Sequence, residues 1–138
     1  MEAKELMIGD WVKQKHSGLL LKVCAIEPPY VRAEGEGGQF HEDTIEPITL
    51  TDEILDQNGF VTKDKPDGWP GYRSYKYSEA STGIVFHLHH DTGKYKWSGK
   101  CEISLNALPY WIRFEYLHEL QHILKICGID KEITIKEG

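Results

Sequence analysis

Gly9-Asp10-Trp11-Val12-Lys13-Gln14-Lys15, His16-Ser17-Gly18, then Leu19-Leu20-Leu21-Lys22-Val23-Cys24-Ala25-Ile26-Glu27 is two strand-like runs around a short polar turn. Valine, isoleucine and tryptophan favour a pleated, half-buried surface, and Ser-Gly supplies the reversal between the runs. Moving outward, Pro28-Pro29 ends the second run and residues 30–34 begin a third. Gly35-Glu36-Gly37-Gly38 turns the chain into Gln39-Phe40-His41, and Glu42-Asp43-Thr44 is one tight helical turn before a last run over 45–48. This spacing predicts a five-strand miniature barrel over residues 1–50, with Trp11, Val12, Leu21, Val23 and Ile45 pointing inward.

The Gly-Asp-x-Val opening at residues 9–12 and the short turn before the last strand resemble an SH3-like barrel. Such barrels host peptide-binding, nucleic-acid-binding and purely structural roles, so the resemblance implies a fold and no activity. Beyond it, Thr51 followed by Asp52, Glu53, Ile54 and Leu55 has the punctuation of a short helix, with Asn58-Gly59 as its exit. Residues 60–105 read as an antiparallel meander with strands near 73–77, 83–89, 95–97 and 100–105, broken at Asp91-Thr92-Gly93 and at Ser98-Gly99. The Pro- and Gly-rich run 64–71 is expected to be an exposed loop. Between 115 and 127 the apolar residues Tyr116, Leu117, Leu120, Ile123, Leu124 and Cys127 recur at helical spacing, and Gly128 ends the helix. Residues 132–136 alternate like a final edge strand. The expected class is α+β: an SH3-like barrel over 1–50, then a β-meander, a C-terminal helix and an edge strand over 51–138, which can share one core with the barrel.

At 138 residues the chain fits one compact domain or two very small ones. Its mean hydropathy of -0.47 leaves no room for an apolar membrane span, so no membrane partner is expected. A net charge of -6 argues against a general polyanion binder. The first fifteen residues lack the basic start and apolar core of a secretory signal, so a cytoplasmic location is expected. Cys24, Cys101 and Cys127 form no C-x-x-C pair and read as reduced, mostly buried small residues. Phosphate-binding glycine loops and the G-x-S-x-G nucleophile context are missing from the sequence.

Three stretches could carry chemistry. His118-Glu119-Leu120-Gln121-His122 matches H-E-x-x-H, in which two histidines one helical turn apart hold zinc and the glutamate acts as general base. On a helical wheel His118 and His122 lie opposite Leu117, Leu120, Leu124 and Cys127, so they are expected to face solvent. The extended zincin motif needs glycine at 125 and histidine at 128, where this chain has Lys125 and Gly128. His87 and His89 share one face of a strand and could reach a single metal ion, but two ligands do not make a site. Between 63 and 100, seven basic residues stand against four acidic ones, interleaved with Trp69, Tyr72, Tyr75, Tyr77, Tyr95 and Trp97. Residues 1–50 reverse the balance, with five basic against nine acidic. A binding surface is therefore expected on the exposed side of the meander, at Trp69, Tyr72, Arg73, Tyr75, Lys94 and Trp97.

Glu5-Leu6-Met7-Ile8-Gly9-Asp10-Trp11-Val12, Ile45-Glu46-Pro47-Ile48-Thr49-Leu50-Thr51 with Glu53-Ile54-Leu55 and Asn58-Gly59-Phe60, and Tyr116-Leu117-His118-Glu119-Leu120-Gln121 together resemble a group of short uncharacterised proteins of Bacteroidetes, their phages and integrated mobile elements. The resemblance implies provenance and carries over no catalytic residue. The functional expectation is a non-enzymatic accessory protein of a phage or mobile element that binds a macromolecular partner, protein in preference to nucleic acid, with no cofactor. The alternatives are a zinc-dependent hydrolase using His118, His122 and Glu119, and a single-stranded nucleic-acid binder using the aromatic meander.

Overall fold

A computed structural model of the chain describes residues 1–62, 72–79, 83–91, 96–103, 106–107 and 112–135. The protein is α+β, and its contacts group into two compact units, Met1–Thr49 with Tyr116–His122, and Leu50–Glu115 with Ile123–Gly138. No helix among the described residues is long and apolar enough to cross a membrane.

In the first unit a 3-10 turn, Ala3–Glu5, precedes strands β1 (Trp11–Gln14), β2 (Leu20–Glu27), β3 (Tyr30–Ala33), β4 (Phe40–His41) and β5 (Ile45–Pro47). Every neighbouring pair is antiparallel, in the order β4-β3-β2-β1-β5. The expected helical turn is present at Glu42–Thr44, where the His41 ring accepts from the Asp43 amide and the Thr44 hydroxyl donates to the His41 carbonyl. The closed barrel is corrected: β4 and β5, at the two ends of the path, do not pair, so the strands form an open sheet. Val12, Leu21, Val23 and Ile45 are buried as expected, joined by Ala3, Leu6, Val31 and Ala33. Trp11 is only half-buried, because it neighbours Val12 on a strand where alternate side chains take opposite faces. The same alternation corrects Cys24, which is exposed beside the buried Val23 at a shift in the β2–β3 register.

The second unit opens with helix α1 (Asp52–Gln57), capped by the Thr51 hydroxyl, which accepts from the Ile54 amide at 3.3 Å. Strands β6 (Val61–Thr62), β7 (Tyr72–Ser78), β8 (Val85–Asp91), β9 (Lys96–Ile103) and β10 (Asn106–Ala107) follow in the order β10-β9-β8-β7-β6, and β11 (Ile112–Phe114) also pairs with β9. The expected break at Ser98-Gly99 does not occur. Gly99 sits in register with Leu88, and a Cβ there would lie 2.7 Å from Phe86 Cζ and 3.3 Å from Phe114 Cε1. The glycine therefore makes room for two aromatic rings inside a continuous strand.

The expected edge strand at 132–136 is also corrected: residues 129–135 form no strand, and residue 136 lies outside the described residues. Its pairing partner is replaced by one side chain. Asn58 is 3% exposed, its Nδ2 donates to the Ile54 and Thr134 carbonyls, and its Oδ1 accepts from the Thr134 amide at 2.8 Å. This single amide satisfies both backbone groups of Thr134 and holds Ile129 and Ile133 in the core.

Helix α2 (Leu117–Ile126) begins in the first unit, where the Leu117 amide donates to the Ile48 carbonyl at 2.8 Å. It ends as expected at Gly128, whose φ of +78° lets the Gly128 and Ile129 amides return to the Lys125 and Leu124 carbonyls.

Candidate functional site

The first two turns of α2 are buried on more than their apolar side. Leu117 and Leu120 are fully buried, and His118, on the other side of the wheel, and Gln121, beside the leucine stripe, are buried as well. The expectation of a wet histidine face is therefore corrected at His118, while His122 is half-buried, and the segment that meets Gln121 and His122 is Gly9-Asp10-Trp11, about 110 positions away in the sequence. A wheel separates polar from apolar residues, yet a polar side can be buried wherever each of its groups finds a partner.

Those partners are specific. Gln121 donates from Nε2 to the Gly9 carbonyl at 2.8 Å and accepts at Oε1 from the Trp11 amide at 3.0 Å. One side-chain amide thus straddles Asp10. His122 Nε2 meets Asp10 Oδ2 at 2.5 Å, and the same oxygen accepts from the Met7 amide at 2.8 Å. Glu119 accepts the Tyr116 amide through Oε1 at 3.1 Å, which closes the first turn of the helix. Asp10 itself is fully buried, with its second carboxylate oxygen unpartnered.

His118 is the exception within the motif. It is 7% exposed, and neither ring nitrogen makes a hydrogen bond among the described residues. Its ring lies parallel to that of Tyr116, 12° apart with centroids at 6.0 Å, and edge-on to His122 at 5.6 Å. Burial pulls its pKa below 6.5 despite the nearby carboxylates of Asp10, Glu119 and Glu5, so the ring is neutral at pH 7. A cleft of about 320 Å³ lies beside it, lined by Met1, Glu5, Pro47, Tyr116, His118 and Glu119.

Two results are expected from this geometry. Asp10→Ala leaves the Met7 amide and His122 Nε2 without their acceptor and costs about 1–3 kcal/mol, read from the urea midpoint. Asp10→Asn keeps one acceptor oxygen and costs less. Second, the unfolded chain takes up a proton at His118 near pH 6.5, whereas the folded chain takes it up only at lower pH. Stability from this group is thus fully present above pH 6.5 and falls as the pH drops through 6.5 toward the folded value. In His118→Phe the loss of stability over that window is smaller than in the wild type.

The metal readings fare differently from the fold. Among the described residues no three His, Cys, Asp or Glu side chains come together to hold a metal ion. Phe86 and Leu88 are fully buried and His87 and His89 half-buried, which is the alternation expected of β8. In backbone register His87 stands between Lys76 and Lys100, and His89 between Ser74 and Ser98, so their strand neighbours supply no third ligand.

The expected aromatic surface is corrected at two of its members. Tyr75 is 3% and Trp97 1% exposed, so neither belongs to a surface. The Trp97 ring stacks on His90 with centroids 4.1 Å apart, and the Tyr75 hydroxyl donates to Asp52 Oδ1 at 2.5 Å. Tyr72 and Arg73 lie on β7, while Trp69 and Lys94 lie outside the described residues, as do the side chains of Tyr72 and Arg73.

Sequence reasoning missed Asp10, Gln121 and Glu5 as members of the site. Asp10 and Glu5 sit beside turn-like and polar residues that carry no motif. Gln121 occupies a variable position of H-E-x-x-H, so only the fold reveals what it holds. Comparison with protein-family models, with curated proteins and with solved structures found no match.

Proposed function

We propose that the protein is a non-enzymatic accessory binding protein of a phage or mobile element, working in the cytoplasm and binding a protein partner. One observation carries this reading: within His118-Glu119-Leu120-Gln121-His122, Glu119 Oε1, both amide atoms of Gln121 and His122 Nε2 are engaged in holding the fold. A zincin needs both histidine nitrogens aimed at one ion and the glutamate aimed at its water. Here His122 Nε2 is against Asp10, and a Glu119 oxygen caps the helix. Burial of Tyr75 and Trp97 likewise removes two of the stacking platforms that single-stranded nucleic acid would need. The acidic balance of residues 1–50 points the same way, since phosphate neutralisation requires basic residues.

Three measurements test the reading. Metal analysis of the purified protein is expected to find zinc well below one equivalent, and stoichiometric zinc lost in His118→Ala overturns it in favour of the hydrolase. Titration with short single-stranded oligonucleotides at low salt is expected to show no binding; tight, salt-sensitive binding moves the partner to nucleic acid. Selection of displayed random peptides on the immobilised protein is expected to enrich a reproducible sequence class, and failure to enrich any counts against a protein partner.

A further inference from the structure

The cleft beside His118 has a composition that selects among ligands. Glu5 and Glu119 place two carboxylates on its lining, and Tyr116 adds an aromatic ring. The N-terminus of α2 opposes them with about half a positive charge, and that charge is already answered: the Tyr116 amide donates to Glu119 and the Leu117 amide to the Ile48 carbonyl. Glu119 is the group that answers that half-charge, and the amino terminus of Met1, also on the lining, offsets one further negative charge, so the two carboxylates leave the cleft with a small negative excess that favours a cation over an anion. Independently, His118 lines the same cleft as a ring 93% removed from solvent whose nitrogens have no hydrogen bond among the described residues. Buried polar groups of native proteins are nearly always satisfied, so a histidine whose buried Nδ1 has no partner within the described residues, beside an open cleft, points to a polar partner supplied from outside the chain.

We propose that this cleft is a receptor for one basic side chain, lysine or arginine, presented by a protein partner and held between Glu5 and Glu119 against the rings of Tyr116 and His118. The proposal rests on the protein-partner reading above and adds the chemistry of the contact. A volume of about 320 Å³ is ample for one long side chain and far too small for a folded element. The aromatic ring suits a cation over its face, and the neutral imidazole offers an acceptor that an ammonium or guanidinium can fill. No group need be transferred and no bond broken, so the site serves recognition.

The test uses the full chain, labelled with nitrogen-15 and carbon-13, titrated with N-acetyl-lysine amide and N-acetyl-arginine amide and followed by NMR. The His118 ring and the backbone amides of Tyr116 and Glu119 are expected to shift saturably, with dissociation constants on the order of millimolar, as suits one exposed charged contact. N-acetyl-glutamate amide is expected to leave them unmoved. Glu5→Gln and Glu119→Gln should each weaken binding about two- to five-fold, and both keep the fold, since Glu5 is exposed and a glutamine oxygen can still accept the Tyr116 amide. Absence of saturable shifts with both cations, equal shifts with the glutamate probe, or unchanged affinity in the double variant overturns the proposal. The peptide selection separates the two ideas. Enriched peptides that bind regardless of their basic residues and of Glu5 and Glu119 leave the protein-partner reading standing and remove this site. Saturable cation binding with no peptide enriched keeps the site and removes the protein partner.

Discussion

Replacing Trp97 by alanine is expected to lower the stability of the protein by about 3–5 kcal/mol, the range for truncating a fully buried large aromatic side chain. Trp97 is 1% exposed and among the largest fully buried side chains of the described residues. Its ring is stacked on His90 at 4.1 Å and tilted against Tyr75 at 6.0 Å, contacts that add to the apolar area withdrawn from water. The vacated space cannot collapse freely, because Trp97 sits mid-sheet, paired in register with His90 on one side and Phe114 on the other. The check is a urea titration, in which the midpoint falls with little change in slope. Lys76→Ala, on an exposed position of β7, is the control and should move the midpoint by less than the equivalent of about 0.5 kcal/mol. A Trp97 variant as stable as the control would return the residue to the surface that the sequence suggested.

The fate of Trp97 shows what the sequence could and could not reveal. Strand alternation located β8 well, because Phe86 and Leu88 are unambiguously apolar and His87 and His89 are not. Around Tyr75 and Trp97 both sides of the alternation contain residues that can be wet or dry, so the buried face was open to either assignment. The first sheet was legible almost strand by strand, since glycines and prolines mark its turns, yet its openness was not, because closure depends on pairing between β4 and β5 that no local pattern encodes. The edge strand at 132–136 failed for a related reason: alternation reports which side chains are buried, and Ile133 is, but the backbone partner of Thr134 is Asn58, far away in the chain. In the candidate site the motif was visible and its role was not. His118-Glu119-Leu120-Gln121-His122 reads as catalysis when taken locally. Whether its nitrogens are free depends on Asp10 and Gly9, which lie at the other end of the sequence.

The second large effect is expected at Leu120, where substitution by alanine should cost about 2–5 kcal/mol. Leu120 is fully exempt from solvent, like Leu117 three residues before it, and Leu124, one turn later, is 1% exposed. The spacing defines one apolar stripe along α2, and the truncation removes three buried carbon atoms and leaves a cavity walled by well-packed neighbours. Alanine is the best helix former, so the helix itself gains slightly and the measured loss reports packing alone. The stripe also bears on the site. His118, Gln121 and His122 reach Tyr116, Gly9 and Asp10 only while the helix keeps its rotation about its own axis, which the leucines help to fix. A Leu120→Ala variant should therefore shift the His118 and His122 ring resonances, whereas Lys125→Ala, at an exposed position of the same helix, should leave them in place. A cost below about 1 kcal/mol would mean that Leu120 lies off the packed face, and unmoved ring resonances would mean that the polar clamp sets the helix rotation without help from the leucines.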